Sequence, residues 1–167
     1  MTETANPGEN PLIGLVDIAV QRLQSAEPVA AVKFMAGRVI TDRRREREII
    51  DAVAMEARAW GIDPGYVCAV FRDQIDATVA LEHRRVAEWK RNPAAAPAAV
   101  PELSASRAII DSLNRTLVRE IAVRWKWLHS PACAIYLGNA KSVVIDARRL
   151  DQPLQDALDV ATQRYWK

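Results

Sequence analysis

Between Asp63-Pro64 and about Asn92 the chain meets no helix breaker except Gly65 at the outset, and Val67, Phe71, Ile75, Leu81 and Val86 recur within it at helical spacing. Asp63 offers a capping carboxylate, and Pro64 suits a first helical turn, where its missing N–H is no loss. This stretch predicts one long helix whose apolar side other helices must cover. The same punctuation divides the rest of the chain. Asn10-Pro11 opens a helix carrying Leu12, Leu15, Val16, Ala19, Leu23 and Ala26; Pro28 should bend it or start a new turn, and Gly37 ends it. Thr41 or Asp42 can cap a second helix through Arg43 to Trp60, stopped by Gly61. Pro93 to Glu102, rich in Pro and Ala, reads as a connector. Ser104 or Ser106 can cap a helix to about Leu128, and further helices cover Pro131 to Arg148 and Asp151 to Trp166. Strand signals are nearly absent. The expected fold is all-α, a single-domain helical bundle of about six helices over 11–167 behind a flexible segment 1–10, with ligand sites between facing helices.

Composition limits what such a bundle does. The chain has 167 residues, half of them hydrophobic, enough for a real core. Its 23 basic and 21 acidic side chains leave a formal charge of +2, without the cationic excess of a nucleic-acid or membrane-surface partner. The two cysteines, Cys68 and Cys133, make no disulfide framework or multi-thiolate metal site, and no metal or other cofactor is expected. No window approaches the roughly 18 apolar residues of a membrane span. The N-terminus lacks the basic start and apolar run of a secretory signal.

The informative residues are polar ones placed where periodicity asks for apolar ones. Arg22 lies on the stripe of Leu12, Leu15, Ala19 and Leu23, and Lys33 follows 11 residues later on the same face, the two heads roughly 16 Å apart if the helix stays straight. In the long helix, Gln74, Thr78 and Glu82 interrupt the apolar side at i, i+4 and i+8. Burying such groups costs a few kcal/mol each unless partners satisfy them, and a ligand is one kind of partner. Arg45 and Arg107, each in the first turn of a helix, can reach the same space. Each residue alone has a plainer reading: Arg22 can snorkel to water, Arg43-Arg44-Arg45 can be a solvated face laced to Glu46 and Glu48, Thr78 can be a satisfied core hydroxyl, and Glu82 can pair with a nearby Arg.

Taken together, the residues resemble a family. Val-Asp-x-Ala-x-x-Arg22-Leu, Glu-Pro-Val-Ala-Ala-x-Lys33, Arg45, and Ile-Asp-Pro-x-Tyr-Val-x-x-Val-Phe-x-Asp-Gln74-Ile-x-Ala-Thr78-x-x-x-Glu82 keep the spacing of the secreted, or gamma, type of AroQ-class chorismate mutases. Glu-Trp89-Lys-x-Asn-Pro, Leu-Ser-Ala-Ser-Arg107-x-x-Ile-Asp-Ser-Leu-Asn and Ala-Thr-Gln-x-Tyr165 extend the resemblance over roughly residues 12 to 165. It implies a cofactor-free [3,3] rearrangement of chorismate to prephenate, on the route to phenylalanine and tyrosine. By the same resemblance, Arg22, Arg45 and Arg107 bind the two carboxylates, Lys33 and a protonated Glu82 flank the ether oxygen, and Thr78 and Gln74 belong to the substrate site. It also implies a homodimer with each active site inside one chain.

Two positions depart from the family pattern. Family members carry a polar residue, often Gln, four positions after Arg45, where this chain has Ile49; Glu46 or Asp42 would then take the ring hydroxyl. Secreted members often pair a cysteine at the Cys133 position with one near the C-terminus, where Trp166 stands, so Cys68 and Cys133 are read as packing thiols. The resemblance places the protein in the periplasm or outside the cell, any signal peptide being absent from the chain; the cytoplasm is the alternative. Rival functions are an isochorismate pyruvate lyase, which would release salicylate and pyruvate from isochorismate, and a non-catalytic helical binding or regulatory module, which would bind nucleic acid with steep salt dependence.

Overall fold

The computed structural model describes residues 9–167, so all but the last two residues of the expected N-terminal segment 1–10 lie outside the described residues. The described chain is all-α: α1 (Ile13–Gln24), α2 (Ala26–Ala36), α3 (Arg43–Trp60), α4 (Pro64–Arg91), α5 (Leu103–Val123), α6 (Trp125–Leu128), α7 (Cys133–Arg148) and α8 (Gln152–Thr162). A single 3-10 turn, Pro93–Ala95, follows α4 in the connector.

Several boundaries follow directly from the caps. The Asp42 carboxylate accepts from the Arg45 amide and starts α3, the Asp63 carboxylate accepts from Gly65 N–H, and the Asp151 carboxylate accepts from Leu154 N–H. Gly37 and Gly61 close α2 and α3 at φ 63° and 71°, in the left-handed region open to glycine.

Other boundaries differ from the expectation. The break in the first helix falls at Ser25, upstream of Pro28. A proline ring clashes with the carbonyl four residues back, here Gln24, so the ladder parts before the proline, which then sits without loss in the first turn of α2. Ser25 Oγ donates to Arg22 O at 2.6 Å at this joint. Neither Ser104 nor Ser106 caps α5; it begins at Leu103, and Ser106 is buried. The helix expected to reach Leu128 parts at Arg124 and leaves α6 as one turn. The last helix ends at Thr162.

α4 is 28 residues long and packs against α8, α3 and α2 along its length. α1 runs through the middle, with Leu15, Val16, Ala19, Val20 and Leu23 fully buried, covered by α5, α7, α8 and α4. Tyr165, also fully buried, closes the C-terminus, its carbonyl accepting from Tyr66 Oη at 2.6 Å. A smaller cluster of Ala30, Ala31 and Trp89, with the Phe34 ring tilted 58° against the Trp89 ring at 5.7 Å between centres, ties α2 to the far end of α4. Cys68 and Cys133 are unpaired, and burial raises both thiol pKa values, as fits packing residues. No helix among the described residues is long and apolar enough to cross a membrane.

Candidate active site

A cleft of about 600 Å³, its open mouth included, lies between the α1–α2 joint, the start of α3, the middle of α4 and the start of α5. Four cations, Arg22, Lys33, Arg45 and Arg107, face it, as do Asp42, Glu46, Glu82 and Thr78. Val29, Ile75 and Val79 supply apolar wall. Helical phase explains why α4 contributes Thr78 and Glu82 together. At about 100° per residue, four positions advance the side chain by only about 40°.

Arg22 is the deepest cation, 3% exposed, and does not snorkel to water. Its Nε donates to Asn114 Oδ1 at 2.6 Å, its Nη1 to Thr78 Oγ1 at 3.2 Å, and its guanidinium carbon stands 5.8 Å from the Phe71 ring centre. Among the described residues none of its partners is a carboxylate within ion-pair reach. Burial lowers its pKa to about 10, with the nearby Arg45 charge adding to the fall and Glu82 opposing it, so it is protonated at neutral pH. Arg45 and Arg107 sit nearer the mouth, each held by a partly exposed carboxylate. Arg45 Nη2 lies 2.6 Å from Asp111 Oδ1, and Arg107 Nη2 lies 3.0 Å from Asp42 Oδ2. In the Arg43-Arg44-Arg45 run, Arg44 pairs with Glu48 on the surface and Arg45 alone lines the cleft.

Lys33 and Glu82 face each other from α2 and α4. Their ion pair is 3.6 Å long, beyond hydrogen-bond reach, and Glu82 Oε2 is buried without a hydrogen-bond partner. Lys33 Nζ instead donates to the carbonyl of Ile40, in the turn that brings Asp42 to the cleft. Burial lifts the Glu82 carboxyl to about 7, against the lowering effect of Lys33 and Arg22. A carboxyl raised that far can hold a proton near neutrality and donate it into the cleft. Glu46 has one oxygen bound by Arg72 Nη1 at 2.9 Å, while its buried Oε2 has no partner. Ile49 presents an apolar side chain to the cleft one turn beyond Arg45.

Gln74 is fully buried but does not line the cleft; its amide donates to Ala19 O at 3.0 Å. Two four-residue steps place it about 80° from Glu82 around α4, which turns it to α1. That contact ties α4 to α1, while its Oε1 is buried without a hydrogen-bond partner, so the structure places Gln74 beside the cleft wall and not in it. Sequence reasoning assigned no role to Asn114, Asp111 or Arg72, although each holds a residue of the cleft. Arg107, Asp111 and Asn114 recur at i, i+4 and i+7 on α5, and that stripe of polar residues is the signal that could have found them.

A family model described as chorismate mutase type II matches residues 14–83, which includes Arg22, Lys33, Arg45, Thr78 and Glu82. The secreted chorismate mutase of Mycolicibacterium smegmatis is 53% identical over 156 residues, 93% of this chain and 86% of the relative. The chain belongs to the chorismate mutase family. The secreted chorismate mutase of Mycobacterium tuberculosis is 46% identical over 95% of this chain and 79% of its own length. Among solved structures, the chorismate mutase of Burkholderia thailandensis superposes with a TM-score of 0.88 at 30% identity, over 94% of this chain and 99% of that one. The all-α fold of this chorismate mutase is thus shared along nearly the whole chain, α7 and α8 included, beyond the segment that the family model spans.

Proposed function

We propose that the cleft converts chorismate to prephenate by a [3,3] rearrangement in which one C–O ether bond breaks as one C–C bond forms, without gain or loss of atoms. The observation that carries this reading is a fully buried arginine without a carboxylate, in the same cleft as a carboxyl that titrates near 7 beside a lysine. The substrate is a dianion that must fold its enolpyruvyl arm over the ring, and its breaking ether oxygen gathers negative charge. Arg22, Arg45 and Arg107 supply guanidinium forks for the two carboxylates, holding the compact conformer and removing much of the entropic barrier. Lys33 and protonated Glu82 stand where the ether oxygen would lie, and donors aimed at a developing oxyanion typically contribute 10²–10³-fold each. Thr78 orients Arg22 and is close enough to meet a carboxylate. Glu46 Oε2, unpartnered, suits the ring hydroxyl, with Asp42 the other acceptor nearby.

The rearrangement is followed by loss of chorismate absorbance, with prephenate confirmed as phenylpyruvate after acid treatment. Turnover by the wild type, lost in Arg45→Ala and partly restored in Arg45→Lys, is expected. A folded wild type that leaves chorismate unchanged, or that releases salicylate from isochorismate, would overturn the assignment. We further infer a homodimer from the resemblance to the gamma-type enzymes; light scattering coupled to gel filtration would show a single protomer mass if this is wrong. The relatives named as secreted enzymes support export from the cytoplasm for this chain as well.

A further inference from the structure

Three cations of the cleft are anchored by α5 or by the start of α3, but the anchors differ in charge. Arg45 and Arg107 are held by carboxylates, Asp111 and Asp42. Arg22, the most buried of the three, is held by the neutral amide of Asn114, itself 5% exposed. Asparagine and aspartate have nearly the same shape, and an aspartate is the usual partner for a buried guanidinium. It would place an anion 2.6 Å from Arg22 Nε and cancel the charge that the cleft presents. Because Nε is the donor, the amide oxygen must face Arg22, so the contact orients the guanidinium without neutralising it.

We propose that Asn114 is a positioning residue whose neutrality reserves the charge of Arg22 for a carboxylate of the substrate. The proposal rests on the reading of the cleft as a dianion site. Asn114 touches no reacting atom; it acts through the direction and net charge of Arg22. Its i+7 relation to Arg107 on α5 puts both ends of the carboxylate-binding set on one helix face, so their separation is fixed by backbone geometry.

The test compares Asn114→Asp and Asn114→Ala with the wild type in three readouts: KM and kcat for chorismate, the dissociation constant of prephenate, and the thermal midpoint. Asn114→Asp should fold with a midpoint at or above that of the wild type, while KM and the prephenate constant rise about 10- to 100-fold and kcat stays within about threefold. Asn114→Ala removes a buried acceptor but adds no charge. It should lower the midpoint yet weaken binding less than the aspartate does. Opposite orders in stability and binding are the signature, because a merely structural asparagine would lose both together. An aspartate variant that fails to fold, or that binds prephenate within twofold of the wild type, would overturn the proposal. A wild type that neither binds prephenate nor turns over chorismate would instead remove the underlying assignment.

Discussion

Arg22 and Arg85 are both buried in this bundle, 3% and 8% exposed, yet their surroundings differ in kind. Arg85, on α4, lies 2.8 Å from Glu27 of α2 and 2.9 Å from Asp151 at the start of α8, with Glu88 3.7 Å away. Burial alone would depress its pKa, but Glu27 and Asp151 outweigh this and raise it. Arg22 has an amide, a hydroxyl and an aromatic ring, and burial prevails. One arginine joins three helices and is complete; the other has no carboxylate in contact, Glu82 and Asp111 acting on it only from a distance. An unpaired buried charge is expensive, so its retention on the wall of an open cleft points to an anion that comes from outside.

The sharpest way to break the comparison is to make the same substitution at both sites. Arg22→Met should lower kcat/KM about a thousandfold, within the range for removing one partner of a buried charge pair. It should change the stability of the free protein by no more than about 1–2 kcal/mol, since relief of a buried charge offsets the Asn114 and Thr78 hydrogen bonds that are lost. Arg85→Met should do the reverse, keeping kcat/KM within twofold while lowering stability by about 1–3 kcal/mol, the range for charged hydrogen bonds to half-exposed carboxylates. Chorismate turnover and urea unfolding of the two variants check both halves.

Next in size is Lys33→Ala, for which kcat should fall about a hundredfold with little change in the binding of prephenate, because the ammonium acts mainly on charge that develops in the transition state. Glu82 adds a pH signature. In the proposed mechanism its active form is the protonated one, so activity should decline as pH rises through about 7, by about tenfold per unit well above the pKa. A bound dianion pushes that limb higher still. In Glu82→Gln, which always carries a donor, the decline should vanish from the pH–rate profile. The smallest effect is expected at Ile49. Ile49→Gln restores a polar group at the cleft wall and should lower KM by a few-fold, the worth of about one net hydrogen bond.

Much of this was legible in the sequence, for physical reasons that can be named. The Asp-Pro start of α4 and the glycines ending α2 and α3 act locally, so the chain alone predicts them. Arg22, Lys33, Thr78 and Glu82 were visible as polar interruptions of apolar stripes. Gln74 shared the stripe but not the cleft, because a helical stripe drifts by about 40° every four residues and sequence does not say where along that drift the neighbour changes from substrate pocket to α1. Asn114 and Asp111 stood in the Arg107 motif without a role, because a polar residue on a helix reads as solvent-facing until the opposing helix is known. The break at Ser25 was misplaced to Pro28 because the consequence of a proline falls on the carbonyl four residues before it.

The central claim is that the missing partner of Arg22 is a carboxylate of the ligand. Thermal unfolding of the wild type and Arg22→Met, each with and without saturating prephenate, tests it in one experiment. The account predicts that prephenate raises the wild-type midpoint but leaves that of the variant almost unmoved. Equal shifts in the two proteins would contradict it.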